Sequence, residues 1–94
     1  MSLRIISPTT DAIQRRFFAI VEKLIVTGRM KSLSAFCDEH HLHRPKYSRL
    51  RTLYATGETT GRYKTIDIDA LAFLAADYRV SLSWLMFGTG KEFK

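Results

Sequence analysis

Apolar residues recur every three or four positions along most of this chain, and nowhere do they alternate with polar residues for the length of a core strand. A spacing of three and four places side chains on one face of an α-helix, whereas alternation is typical of a half-buried β-strand. The pattern therefore predicts an all-α fold. Because the chain has 94 residues, we expect one domain over residues 1–94, with a flexible N-terminus over residues 1–10.

The apolar spacing and the residues that can cap helices predict five helices. They cover residues 11–27, 33–40, 44–55, 68–78 and 82–87. The residues expected to cap their N-termini are Thr10, Ser32, His43, Asp67 and Ser81. Residues 57–65 contain two glycines and several threonines, which predicts a loop, with a short hairpin as the alternative.

The predicted core joins all five helices. In helix 4, Ile68 is expected to face this core. The other predicted core residues are Phe17, Ile20, Val21, Leu24, Phe36, Cys37, Leu42, Tyr47, Leu50, Leu71, Leu74, Val80, Trp84 and Leu85.

Positive charge is concentrated in the middle of the chain. The net charge is +6, from 15 basic and 9 acidic residues, and residues 42–64 alone hold six basic side chains and one acidic side chain. This distribution favours a polyanionic partner, nucleic acid before an anionic membrane. A solvated helix face followed by a basic loop is the structural alternative. No apolar stretch approaches the ~18 residues of a membrane span, and a single cysteine fits a reduced compartment, so we expect a cytoplasmic protein without membrane contact.

The second and third predicted helices have the features of a helix-turn-helix unit. Such a unit needs a small residue in its first helix, which Cys37 supplies. Its turn needs a residue that tolerates unusual backbone angles and then an apolar plug, and His41 and Leu42 occupy these positions. Its second helix needs two buried anchors three residues apart, here Tyr47 and Leu50. The exposed face of that helix can then enter a DNA major groove.

Two segments resemble the lambda-repressor/Cro-like helix-turn-helix family. They are SLSAFCDEHHLHRPKYSRL, residues 32–50, and ALAFLAADYRVSLSWLMFGTG, residues 70–90. In that family a short Val-Ser-x-x-Trp-Leu helix often follows the fourth helix and ends at Gly-x-Gly, as residues 80–90 do here. The resemblance covers residues 17–90 and implies a five-helix, phage-repressor-type DNA-binding domain.

This chain departs from the family pattern in two places. His41 stands where the family usually has glycine, and the connection between the third and fourth helices is longer than usual. The role of the extra loop over residues 56–66 therefore stays open, and phosphate contacts made by the short family loop do not transfer to it.

The resemblance implies two sets of DNA contacts. The residues facing the bases are Arg44, Pro45, Ser48 and Arg49. The residues facing phosphates are Lys31, Ser32, Ser34, His43, Lys46, Arg51, Thr52, Arg62, Tyr63 and Lys64. The two base-facing arginines are the strongest candidates for sequence reading, because a guanidinium pairs bidentately with guanine O6 and N7.

The sequence gives weaker support to two other functions, metal binding and catalysis. Cys37, His40, His41 and His43 are metal-ligating residue types, but the turn gives several of them structural roles, so we predict no metal and no cofactor. No Gly-rich phosphate loop, carboxylate pair or nucleophile–base pattern is present, and we expect no enzyme activity.

The sequence thus predicts a sequence-specific, double-stranded DNA-binding transcriptional regulator, in the first instance a repressor. We expect a homodimer, formed by helix 5 and the tail over residues 84–93. The alternative is an antitoxin or protein-interaction module of the same helical fold, bound to a toxin or another protein. Its candidate surface aromatics are Phe18, Phe87 and Phe93.

Overall fold

The protein is described by a computed structural model over residues 6–57 and 64–94, and the predicted all-α class is confirmed. Its helices are α1 Pro8–Val26, α2 Leu33–Glu39, α3 Arg44–Thr56, α4 Ile68–Tyr78 and α5 Leu82–Phe87. Within these residues the only β-type pairing is an isolated antiparallel bridge between Val80 and Phe93. The bounds of α2 to α5 agree with the sequence prediction to within one residue.

Helix α1 begins earlier than predicted. Its N-cap is Ser7, whose hydroxyl accepts a hydrogen bond from the Thr10 backbone N–H at 3.1 Å, and Pro8 occupies the first turn. Proline fits this position because its missing N–H would have no partner inside the helix. The predicted cap at Thr10 is therefore wrong, and residues 8–10 form helix rather than part of a flexible N-terminus.

The core lies where α1 meets the other helices. Every predicted core residue is buried except Leu42 and Trp84, which are partly buried and pack against the cluster, and Ile68, which is 79% exposed. Ile68 sits in the first turn of α4, at the rim of the bundle. Phe18, predicted to lie at the surface, is only 3% exposed, because its ring packs edge-on against Phe17. Residues missing from the prediction are Gln14, Met30, Leu33 and Ala70.

The turn between α2 and α3 reverses the chain at His41. Cys37 is fully buried, and its carbonyl oxygen accepts a hydrogen bond from the Leu42 N–H at 2.8 Å. His41 adopts φ +57°, the left-handed conformation for which glycine is usually chosen. A non-glycine residue thus makes the same sharp reversal, and α3 follows α2 directly.

Helix α5 is held against α1 through its C-terminal carbonyl groups. The Arg16 guanidinium donates hydrogen bonds to the carbonyl oxygens of Leu85 at 2.8 Å and Met86 at 2.9 Å. These oxygens lie in the last turn, where no intrahelical donor is left for them. Arg16 therefore serves the fold rather than an external anion.

None of the helices among the described residues combines the length and the apolar character that crossing a membrane requires.

We predict that Leu50→Ala lowers the free energy of unfolding by about 2–5 kcal/mol, because Leu50 is 1% exposed and its truncation leaves a cavity beneath α3. The measurement is urea unfolding followed by circular dichroism. Leu82→Ala is the matched control, because Leu82 is 43% exposed and should lose far less. Equal losses in the two variants would contradict the burial of Leu50.

Candidate nucleic-acid interface

Helix α3 has one anchored face and one exposed face. Tyr47 and Leu50 lie three residues apart and are 0% and 1% exposed, so they fix the inner face. The exposed face carries Arg44, Pro45, Ser48, Arg49 and Thr52. All four predicted base contacts therefore lie on one surface.

A shallow open groove runs between the start of α2 and the start of α3. It is lined by Ser34, Arg44, Pro45 and Ser48, three of which are predicted base contacts and one a predicted phosphate contact. Arg49 follows directly on the same exposed face of α3. The fold thus brings the predicted reading residues together with the N-terminal part of α2.

Arg44 and Arg49, the arginines predicted to contact bases, make few hydrogen bonds or ion pairs within the protein. Among the described residues, Arg49 makes no hydrogen bond or ion pair. Arg44 lies 3.4 Å from an Asp38 carboxylate oxygen, and the two side chains are 56% and 59% exposed. An ion pair this long and this exposed contributes little and is readily exchanged for another anion.

The predicted phosphate contacts around the turn are also at the surface. Lys31, Ser34 and His43 are exposed, and His43 precedes α3 without a side-chain capping hydrogen bond. Ser32 is only partly available, because its hydroxyl accepts a hydrogen bond from the Ala35 N–H at 3.0 Å as the cap of α2.

Two other predicted phosphate contacts hold ion pairs inside the protein. The Lys46 ammonium lies 3.1 Å from Asp67, and its side chain is only 16% exposed. Both Arg51 nitrogens that face α1 donate to the carboxylate of Glu22. Arg51 thus lies on the opposite side of α3 from Arg49 and is not brought to the groove. The sequence could not show these pairings, since the partners are remote in the chain.

The remaining predicted phosphate contacts lie on or beyond the C-terminal half of α3. The Thr52 side chain is exposed, and its hydroxyl donates to the Ser48 carbonyl oxygen at 3.1 Å. Lys64 is exposed. Arg62 and Tyr63, and most of the predicted loop, lie outside the described residues.

A hydrogen-bonded pair joins α3 to the start of α4. The Tyr47 hydroxyl donates to an Asp67 carboxylate oxygen at 2.7 Å and accepts from the Asp67 backbone N–H at 2.9 Å. Burial, followed by the neighbouring Asp67 carboxylate, raises the pKa of Tyr47, so that the phenol stays a donor. In return, the hydrogen bond from Tyr47, aided by Lys46, lowers the pKa of Asp67. Asp67 is the N-cap residue of α4, as predicted, but its carboxylate makes no capping hydrogen bond because it is turned to these partners.

A second polar contact ties the same segment to α1. Gln14 is fully buried, and its side-chain oxygen accepts a hydrogen bond from the Ile66 N–H at 2.7 Å. Its amide nitrogen donates to the Tyr54 hydroxyl at 2.9 Å. The chain returning from the long loop is therefore fixed to both α1 and α3. The only sequence signal for Gln14 was a polar residue within the apolar stripe of its helix.

Cys37 does not offer a ready metal ligand. Its thiol is buried, and burial, with a smaller effect of Asp38, raises its pKa to about 11. A thiol in this state keeps its proton, whereas metal binding requires the thiolate. Its contacts in the turn account for its position.

No protein-family model, no curated protein and no solved structure matches this chain.

We predict that Tyr47→Phe lowers the free energy of unfolding by about 1–3 kcal/mol at neutral pH, because it removes a hydrogen bond to a charged carboxylate and leaves the Asp67 N–H without an acceptor. The carboxyl of Asp67 has a lowered pKa in the folded protein, so its contribution is present above the ordinary aspartate pKa and is lost as pH falls through the folded value. The stability difference between wild type and variant should therefore shrink in acid.

Urea unfolding at neutral pH and at about pH 3, below the ordinary aspartate pKa, measures this difference. Tyr78→Phe is the control, because among the described residues the Tyr78 side chain makes no hydrogen bond. A Tyr47→Phe penalty that stays unchanged in acid would show that the Asp67 charge does not contribute.

Proposed function

We propose that this protein is a sequence-specific, double-stranded DNA-binding transcriptional regulator that places the exposed face of α3 in a major groove. In this proposal α2, the turn and α3 form a helix-turn-helix unit of the lambda-repressor/Cro-like type. The family assignment rests on the sequence resemblance over residues 17–90.

The observation that carries the proposal is the state of the arginines on α3. Arg49 has no internal partner among the described residues, and Arg44 has only a long, exposed one. Both lie on the face opposite Tyr47 and Leu50, so the anchors present the guanidinium groups outward. Uncommitted guanidinium groups beside a groove suit guanine edges and phosphate oxygens.

The distribution of the remaining charge is consistent with a polyanionic partner. Residues 42–64 hold six of the chain's 15 basic side chains and one acidic residue. Two of the six, Lys46 and Arg51, are neutralised by Asp67 and Glu22. Among the described basic side chains of this segment, Arg44, Arg49 and Lys64 are exposed and hold no short ion pair within the protein.

We propose that the regulator acts as a homodimer through α5 and the tail that follows it. Phe87 is 75% exposed at the end of α5, whereas Trp84, Leu85 and Met86 just before it are buried or partly buried against the core. Two recognition helices held by such a dimer would read half-sites about one helical turn, ~34 Å, apart.

Exposed Phe87 also favours a second candidate function, a protein-interaction module or antitoxin with a protein partner. The structure leaves this alternative with fewer exposed aromatic side chains than the sequence predicted. Phe18 is buried, and Phe93 is partly buried against the core beneath the Arg29 guanidinium, at 5.0 Å from it. Of the three predicted surface aromatics, Phe87 alone is freely exposed.

We predict that Arg49→Ala costs about 1–3 kcal/mol of binding free energy on the preferred duplex and relaxes base preference at one or two positions, because it removes a base contact.

The double variant Arg62→Ala, Lys64→Ala should weaken all duplexes alike and reduce the salt slope by ~0.9 for each lost phosphate contact. The preferred duplex comes from selection in a random library, and affinity is measured by fluorescence anisotropy at several salt concentrations.

Arg51→Ala is the matched control on the same helix, because its guanidinium faces Glu22 rather than the groove. It should leave base preference unchanged. If Arg49→Ala weakens selected and scrambled duplexes equally, Arg49 contacts only phosphate. If the wild type prefers no duplex, the DNA-reading function fails and the protein-interaction module takes its place.

We predict that Phe87→Ser shifts the protein from dimer to monomer in sedimentation equilibrium, because it removes the exposed ring expected at the interface. Ile68→Ser is the control, since Ile68 is 79% exposed but lies in the first turn of α4, at the other end of that helix from the tail. A wild type that is monomeric both alone and on DNA would rule out the dimer.

A further inference from the structure

The C-terminal ends of α2 and α4 bring together three side chains that the proposed function does not use. Glu39 ends α2, His40 is its C-cap, and Asp77 lies in the last turn of α4. One ligand-type atom from each of these residues lies within 4.8 Å of the other two. The His40 Nε2 and an Asp77 carboxylate oxygen are 2.7 Å apart.

The imidazole of His40 is held in a fixed orientation. Its ring stacks on Phe73 at a centroid distance of 4.0 Å and an interplanar angle of 11°, and it meets Phe36 edge-on at 5.0 Å. The side chain is only 14% exposed, whereas the Asp77 side chain is 37% exposed. One ligand is thus set in place by packing, and a carboxylate beside it can move toward an incoming ion.

The two carboxylates are poorly compensated by the protein itself. Among the described residues, Glu39 makes no ion pair, and Asp77 pairs only with His40. Arg29 is close, but its guanidinium donates to the Tyr78 carbonyl oxygen at 2.9 Å. The last carbonyl groups of two helices add further negative potential at this place.

We propose that Glu39, His40 and Asp77 bind a divalent transition-metal ion, of which Zn²⁺ is the representative probe. An imidazole nitrogen with two carboxylate oxygens suits borderline ions such as Zn²⁺, whereas Mg²⁺ and Ca²⁺ prefer oxygen ligands alone. Ligand bonds of about 2.0–2.2 Å place neighbouring donor atoms roughly 3–3.5 Å apart in a tetrahedral site. The His40–Asp77 separation of 2.7 Å is shorter than that spacing and all three donor atoms lie within 4.8 Å of one another, so rotation of the more exposed Asp77 side chain can reach it. Water would complete the coordination.

Such an ion would join the ends of α2 and α4. Helix α2 packs directly on α3, so the ion would stabilise the position of α2 against which α3 packs. The proposal does not depend on DNA binding, because its consequence is measured on the free protein.

Isothermal titration calorimetry of Zn²⁺ into the full chain, without an added histidine tag, tests the site. We expect one saturable Zn²⁺ per chain and a rise in the melting temperature, since an ion that binds the folded state stabilises it. Asp77→Asn and, separately, Glu39→Gln should each raise the Kd at least ~10-fold, in line with losses seen when metal-site groups are removed. Glu39 is exposed, so its variant should keep the fold even if Asp77→Asn does not.

Two matched controls identify the ligands. Asp69→Asn changes the other exposed aspartate of α4, in its first turn, and His43→Gln changes an exposed histidine outside the cluster. Both should keep wild-type affinity, and Zn²⁺ should shift the imidazole NMR signals of His40 but not of His43. Absence of saturable binding, equal weakening in the controls, or Mg²⁺ binding as tightly as Zn²⁺ would each overturn the proposal.

Discussion

The orientation of α3 depends on the pair of hydrogen bonds between Tyr47 and Asp67. The Tyr47 ring is an anchor of the apolar core, while its hydroxyl both donates to and accepts from Asp67 at the start of α4. A buried phenol left without these partners would carry a substantial desolvation cost. The contact therefore fixes how far α3 is rotated about its axis, and that rotation decides that Arg49 faces outward while Arg51 faces α1.

Net charge alone does not reveal which cationic side chains can meet an external anion. Arg16 donates hydrogen bonds to carbonyl oxygens of α5, Arg51 forms an ion pair with Glu22, and Lys46 forms one with Asp67. Those side chains make contacts between elements of the fold and do not face the groove. On α3 the cations left exposed are Arg44 and Arg49, so this part of the proposed interface is defined by which cations lack a short internal ion pair rather than by the net charge.

The sequence predicted local features well and remote pairings poorly. Apolar spacing located five helices and nearly the whole core, because a helix face is set by residues three and four apart. The positive φ at His41 and the caps at Ser32 and Ser81 were also readable, since each depends on neighbouring residues. The predicted start of α1, the predicted exposure of Phe18 and the predicted burial of Ile68 were wrong. Similar caps compete at Ser7 and Thr10, and the burial of single side chains depends on how the helices pack. Contacts between residues far apart in the sequence cannot be predicted from local spacing. The partners of Asp67 and Arg51 and the proximity of Asp77 to His40 are of this kind.

The way the chain leaves α3 and returns to α4 has a practical consequence. Gly57, at φ +74°, ends α3, and the return is secured separately by Ile66 on Gln14 and by Asp67 on Tyr47. Both ends of the connection are thus fixed by contacts that do not involve its interior. Because the entropy of closing a loop grows slowly, with each doubling of length costing roughly 0.6 kcal/mol, a longer connection costs the bundle little closure entropy. By this measure the length of the connection can change between related proteins with little effect on the closure of the bundle.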